Sequence, residues 1–300
     1  MAVKLQLNDI SDCKIGGGSV TSIYLGTELV WPDSPTPPTP TGYSSQYLTT
    51  EMMGGGTISL ADAGSNVFYY SKDNGSTWSP LTTGQTVNVD TGDKVLWKAS
   101  GLTISSSDGI GIIKPSASFR VYGNVMSLEY GDNFVGQTTM RDYNFLGLFY
   151  SATTLMNASN LVLPATTLTQ GCYRSMFRGC SGITTAPELP ATTLATNCYY
   201  GMFRECSGIT SAPELPATTL ADGCYQYMFY GCHILNTITC YATDISATQC
   251  TYAWVSGVYS TSGTFYKAAN MCDWRTGANG IPSNWTVDPD DCGVGAGDAD

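Results

Sequence analysis

One phrase, repeated at a fixed spacing, limits what this chain can fold into more than any other feature of it. Leu-Pro-Ala-Thr-Thr-Leu begins at Leu163, Leu189 and Leu215, and each copy runs on into Cys-Tyr-x-x-Met-Phe from Cys172, Cys198 and Cys224. A second cysteine follows in each (Cys180, Cys206, Cys232), then an aliphatic residue: Ile183, Ile209 and, one place out of step, Ile234. The copies start 26 residues apart. A period of this length marks a solenoid, in which each copy is one supersecondary unit stacked on its neighbours. A single copy carries too few large apolar side chains to offset the entropy of ordering its backbone, so the copies must cover one another.

Within one copy, Cys172, Met176, Phe177 and Cys180 fall at i, i+4, i+5 and i+8, the spacing of one face of a short helix. Gly179 and Ser181-Gly182 would stop that helix, and Ile183 to Pro190 reads as an extended return whose prolines limit pairing. On such a helix Cys172 and Cys180 would lie roughly 12 Å apart, too far for a bridge that needs about 7 Å or less. No Cys-x-x-Cys occurs, and the only histidine, His233, stands where the other copies have Ser181 and Ser207. One period beyond Cys232 the place is taken by Val258, and in an imperfect first copy (Phe145-Leu-Gly-Leu148-Phe149) by Ala152. The repeat cysteines are therefore expected to be reduced small hydrophobes, with no metal and no cofactor. The state of Cys13, Cys272 and Cys292, outside the repeats, stays open.

The run Met176-Phe177-x-x-Cys180-x-x-Ile183-x-x-Ala186-x-x-Leu189-Pro190 resembles the Ala-Phe-x-x-Cys-x-x-Leu-x-x-Ile-x-Ile-Pro phrase of BspA-like leucine-rich repeats. That group is common in gut Bacteroidales and their phages. The repeat here is a few residues longer, and the resemblance covers about half of the chain. It implies a leucine-rich-repeat fold and a role in adhesion.

In order along the chain, residues 1–32 read as a small β module, with Ile23-Tyr24-Leu25 and Glu28-Leu29-Val30-Trp31 as two strands joined at Gly26-Thr27. The phrase from Ile23 to Pro32 resembles N-terminal modules of phage structural proteins, which makes Ile23, Tyr24, Leu25, Leu29 and Trp31 the expected anchor to a particle. Val3, Leu5 and Leu7 alternate as in a strand, and the opening residues lack the apolar core of a signal peptide. Residues 33–42 are a Pro/Thr-rich linker. Residues 43–135 are a β-rich domain, with strands expected over 57–60, 67–71, 86–89, 95–99 and 119–122. Inside it, Ser71-Lys-Asp73-Asn-Gly75-Ser-Thr-Trp78 matches the Asp-box of sialidase-like propellers, where the motif staples a hairpin and takes no part in catalysis. Residues 136–287 are the solenoid with its C-terminal cap, Trp254-Val255 replacing Met-Phe in the last copy, and 288–300 are an acidic tail. The fold class expected is thus mainly β with short helices.

Composition narrows the function. A formal charge of −11 with only 13 Lys and Arg lacks the basic face a nucleic-acid binder needs, and no 18-residue apolar run exists to cross a bilayer. Catalysis needs convergent titratable groups, and the repeats offer scattered acids and one histidine. Variable columns in the fixed frame are more informative: Arg174, Tyr200 and Gln226 share one, Tyr227 follows Ser175 and Gly201 in the next, and Arg178, Arg204 and Tyr230 share a third. These form the expected recognition surface, where aromatic rings suit sugars. Glu188 and Glu214 hold equivalent places and read as a solvated rim. The expectation is a non-enzymatic virion protein, a head or tail fibre of a crAss-like or related phage. Other virion proteins would be bound through the N-terminal module, and a host surface glycan or protein by the repeats. A symmetric homo-oligomer is expected, as is common for fibres. The alternatives are a bacterial cell-surface leucine-rich-repeat adhesin and, on the single Asp-box, a glycan-active enzyme.

Overall fold

The computed structural model describes residues 42–290, apart from 62, 103–110 and 270, together with the backbone of four short strands before residue 32. The chain falls into two compact units, Met1–Pro38 and Thr39–Asp300. In the first, β1 (Lys14–Ile15) pairs antiparallel with β2 (Gly18–Ser19), and β3 (Ile23–Leu25) antiparallel with β4 (Glu28–Trp31); the expected joint at Gly26-Thr27 lies outside the described residues. The side chains of the proposed anchor, Ile23, Tyr24, Leu25, Leu29 and Trp31, lie outside the described residues. So do Val3 to Leu7, the linker as far as residue 41 and the tail from 291.

The second unit is mainly β and opens with two sheets. One is six-stranded and takes β5 (Leu48–Met52), β7 (Phe68–Ser71), β8 (Ser79–Leu81), β10 (Lys94–Lys98), β12 (Phe119–Asn124) and β13 (Leu155–Val162) in the order β13-β12-β5-β10-β7-β8. The other is β11 (Ile113–Pro115), β6 (Gly56–Leu60) and β9 (Thr86–Val89), in that order. Strict alternation drives the burial: in β12 Phe119 and Val121 are buried while Arg120 and Tyr122 face outward. Four of these nine strands escaped the pattern, for physical reasons; in β13 the burial does not alternate. In β5, Thr49 and Thr50 are buried polar residues, and Thr50 is satisfied by the Trp97 indole N–H at 2.9 Å. Both β8 and β11 contain a proline, which is tolerated because each is an edge strand.

The Asp-box behaves as a staple. It forms the β7–β8 hairpin turn, in which the Ser71 hydroxyl accepts the Gly75 amide at 2.8 Å and Asp73 accepts both the amide and the hydroxyl of Thr77. Those Thr77 bonds hold the Asp73 carboxyl down to about 2. Asn74 and Gly75 take positive φ, and Trp78 packs on Tyr47 with the Lys98 ammonium 4.2 Å above its ring.

The sheet continues into the repeats: β12 pairs in parallel with β13, and one apolar core runs from Leu48 to Trp285. Five segments of consecutive turns then succeed one another, over 142–151, 170–179, 196–205, 222–231 and 248–257. The expected helix is absent from them. Among the described residues helix is confined to Ser127–Tyr130 and a 3-10 turn at Gly131–Asn133. The reason lies in alternate amides. Arg174, Met176, Arg178 and Cys180 donate three residues back within their own segment, while Tyr173, Ser175, Phe177 and Gly179 donate to Cys198, Tyr200, Met202 and Arg204 of the next. Every fourth residue takes positive φ (Gly171, Ser175, Gly179), as the third place of such turns requires. Apolar pairs therefore recur every four residues, close enough to 3.6 to imitate a helix.

Inside the segments the rings form two columns. Phe149, Phe177, Phe203 and Phe229 stack at 5.7, 5.5 and 5.9 Å, within 9° of parallel. Phe145, Tyr173, Tyr199 and Tyr225 form the other, and Trp254 closes both by touching Tyr225 and Phe229. The aliphatic place of the third copy is filled by buried Leu235, whose amide donates to Cys232 as that of Ile209 does to Cys206; Ile234 is exposed, which corrects the assignment from sequence. Beyond the turns, β14 (Thr237–Cys240), β15 (Thr264–Lys267) and β16 (Thr286–Asp288) form a parallel sheet. The stretch 275–281 covers the last segment: Ala278 accepts the Val255 amide, Asn279 Oδ1 the Ala253 amide at 2.6 Å, and the Gly280 carbonyl the Trp254 indole N–H at 2.7 Å.

Candidate functional site

The second cysteine of each copy is a packing residue with a directional bond. Cys180, Cys206 and Cys232 are fully buried, and their thiols donate to the carbonyls of Phe149, Phe177 and Phe203 at 3.0, 3.0 and 3.1 Å. A thiol is the one small apolar side chain that can occupy this place and still donate. Eight cysteines from Cys172 to Cys250 are unbridged and buried, and Cys272 is in a disulfide. Burial pushes the Cys172, Cys224, Cys232 and Cys240 thiols up to about 12, and those of Cys198 and Cys206 well above their usual range. The thiolate is the reactive form. At pH 8 an aromatic disulfide reagent is therefore expected to label none of the eight in the folded protein and all of them in guanidinium. Rapid labelling of any one, located by peptide mass spectrometry, would contradict this packing.

Most of the outward residues of the same turns are brought into contact with one another. The Arg174 guanidinium lies over the Tyr200 ring at 4.4 Å, Tyr200 meets Tyr227 edge-on at 5.5 Å, and Tyr227 meets Tyr252 and Tyr230 at 5.6 and 5.9 Å. Arg204 lies 4.7 Å over Tyr230 and 5.4 Å over Tyr227, and is paired at 3.1 Å with Glu205. Arg178 instead covers Tyr150 of the preceding segment, at 5.3 Å, and Gln226 continues the Arg174–Tyr200 column beside Gly223. The result is a band of aromatic edges and guanidinium planes, held by cation–π contacts. Sequence reading missed Tyr150 and Tyr252; the latter is 44% exposed and follows Tyr227 by nearly one period, in a copy whose Met-Phe frame has been lost.

Tyr227 is the unusual member. Its φ is 56°, at a place filled by Gly147, Ser175, Gly201 and Ala253 in the other segments. A left-handed conformation costs a bulky L-residue about 1–2 kcal/mol; Tyr143 and the buried Phe145 also bear it, at φ 60°, and what sets Tyr227 apart is that it does so within the outward band. Elsewhere in the repeats, burial raises the Glu188 and Glu214 carboxyls, Glu188 being raised also by the charge of Glu214. Among the described residues no group of three or more His, Cys, Asp and Glu gathers as a metal site would need. No protein-family model matches the chain, and searches of curated proteins and of solved structures likewise return no match.

Proposed function

We propose that the chain is a non-enzymatic phage virion protein, a head or tail fibre. In this reading the stacked copies are a leucine-rich-repeat solenoid of the BspA-like kind, presented for attachment to host cells or their glycans. The observation that carries it is Tyr227, a bulky ring kept in a left-handed place on an outward band of tyrosines and arginines. Such a band offers flat apolar faces and fixed donors with no convergent acid and base, a combination that serves binding rather than bond cleavage. The hairpins of Met1–Pro38 would be the seat on the particle, and other virion proteins their partners.

Purified particles are expected to contain the chain, and removing residues 1–32 is expected to strip it from them. Retention on particles after that deletion overturns the anchor assignment. Finding the full-length chain in the bacterial envelope and in no particle overturns the virion reading in favour of a cell-surface adhesin. Turnover of labelled mucin oligosaccharides by the purified chain, of which none is expected, would favour a glycan-active enzyme instead.

A further inference from the structure

The six-stranded sheet carries a second concentration of polar and aromatic groups, away from the turn segments. Register puts Lys94 of β10 opposite Glu51 of β5, and Glu51 opposite Arg120 of β12, so a cation, an anion and a cation lie side by side on three neighbouring strands. Two residues along β12, on the same outward face, Tyr122 pairs with Asn160 of β13. The segment before β5 adds a wall: Tyr43 meets Tyr122 edge-on at 5.3 Å, and Gln46 stands beside it. These residues line one open cleft of about 350 Å³.

The wall is held rigidly. Asn124 donates its amide to the Gln46 carbonyl at 2.8 Å and its side-chain amide to the Ser44 carbonyl at 2.9 Å. Gly123, at φ 86°, leaves room for the Tyr47 carbonyl, into which any β-carbon there would collide. Arg120 and Glu51 are locked in a two-point pair at 2.9 and 3.0 Å, which fixes their planes. Lys94 forms no ion pair among the described residues, so the cleft holds two cations against one carboxylate on a chain whose formal charge is −11.

We propose that this cleft binds a carboxylated sugar. The ring's C–H face would rest on the two tyrosines, its hydroxyls would find donors and acceptors in Asn160, Gln46 and the outer atoms of the Arg120–Glu51 pair, and Lys94 would take the carboxylate. Five polar side chains beside two tyrosines suit a ligand as rich in hydroxyls as a sugar, and a positive spot on an acidic surface selects an acid over its neutral counterpart. The assignment is independent of the virion reading, since it concerns the purified chain alone.

Saturation-transfer NMR and calorimetry on the full chain test it, with sialyllactose and trigalacturonate as acidic probes and lactose as the neutral one. At least one acid is expected to bind about tenfold or more tightly than lactose. Lys94→Gln, at an exposed position, is expected to remove that preference, and Tyr122→Ala to remove binding, with thermal midpoints reporting that each variant is folded. Three results would each overturn the proposal: neither acid binds; lactose binds as well as the acids; or binding survives Lys94→Gln and Tyr122→Ala and is lost in Tyr200→Ala, which would move it to the tyrosine band.

Discussion

Replacing Phe203 with alanine is expected to cost about 3–5 kcal/mol, the range for emptying a fully buried aromatic site. Phe203 has no solvent exposure, lies 5.5 Å from Phe177 and 5.9 Å from Phe229, and is within 4° of parallel to both. Each ring pair contributes about 0.5–1.5 kcal/mol beyond the area it buries. Two such contacts vanish together, and the cavity cannot close, because backbone bonds to both neighbouring segments fix their spacing. The Phe203 carbonyl also receives the Cys232 thiol and the Cys206 amide, so a shift of this residue spreads along the stack. Urea unfolding followed by circular dichroism measures the effect. A loss below about 1 kcal/mol would mean that the phenyl column is not packed as described. Phe203→Leu, which keeps most of the volume, is expected to lose much less.

Gly123→Ala is expected to cost about 3 kcal/mol or more, a large figure for the addition of one methyl group. A positive φ costs a non-glycine residue roughly 1–2 kcal/mol. The rest comes from the collision: the new carbon would meet the Tyr47 carbonyl, with its carbon 2.8 Å away, and backbone cannot swing aside as a side chain does. Relief requires the Tyr43 to Tyr47 segment to lift, which breaks the Asn124-to-Gln46 bond and the parallel bridge from Tyr47 to Asn124. Scanning calorimetry should show a lowered midpoint, and sugar binding should fall with it because Tyr43 and Gln46 are displaced. An unchanged midpoint would refute the close approach.

The repeat length, most of the residues that face inward and part of the outward band were readable from the sequence, because a fixed period aligns equivalent places without any knowledge of their conformation. What the period could not supply was the conformation itself. Cys172, Met176, Phe177 and Cys180 satisfy a four-residue turn cycle and a 3.6-residue helix equally well over so short a run. The distinguishing signal was present in the glycines: Gly171 and Gly179, Gly223 and Gly231 stand eight apart at places that need positive φ, whereas a helix interior disfavours them. Ile234 misled for a simpler reason, since His233-Ile234-Leu235 offers two aliphatic residues and only the buried one fits the frame. The cleft was invisible because its residues come from four strands and the loop before them, spread from Tyr43 to Asn160, and only the strand register makes them neighbours.

The amide ladder between segments runs one way: each turn segment donates to the one after it and accepts from the one before. Any whole copy thus presents the same donors forward and the same acceptors backward, and among the described residues Asn279, Ala278 and Gly280 finish the series. A duplication or loss of one copy would leave both junctions chemically intact while changing the height of the column by about 4.8 Å, one strand spacing. The length of the stack can therefore drift in quantised steps under selection, with neither of its ends having to be reinvented.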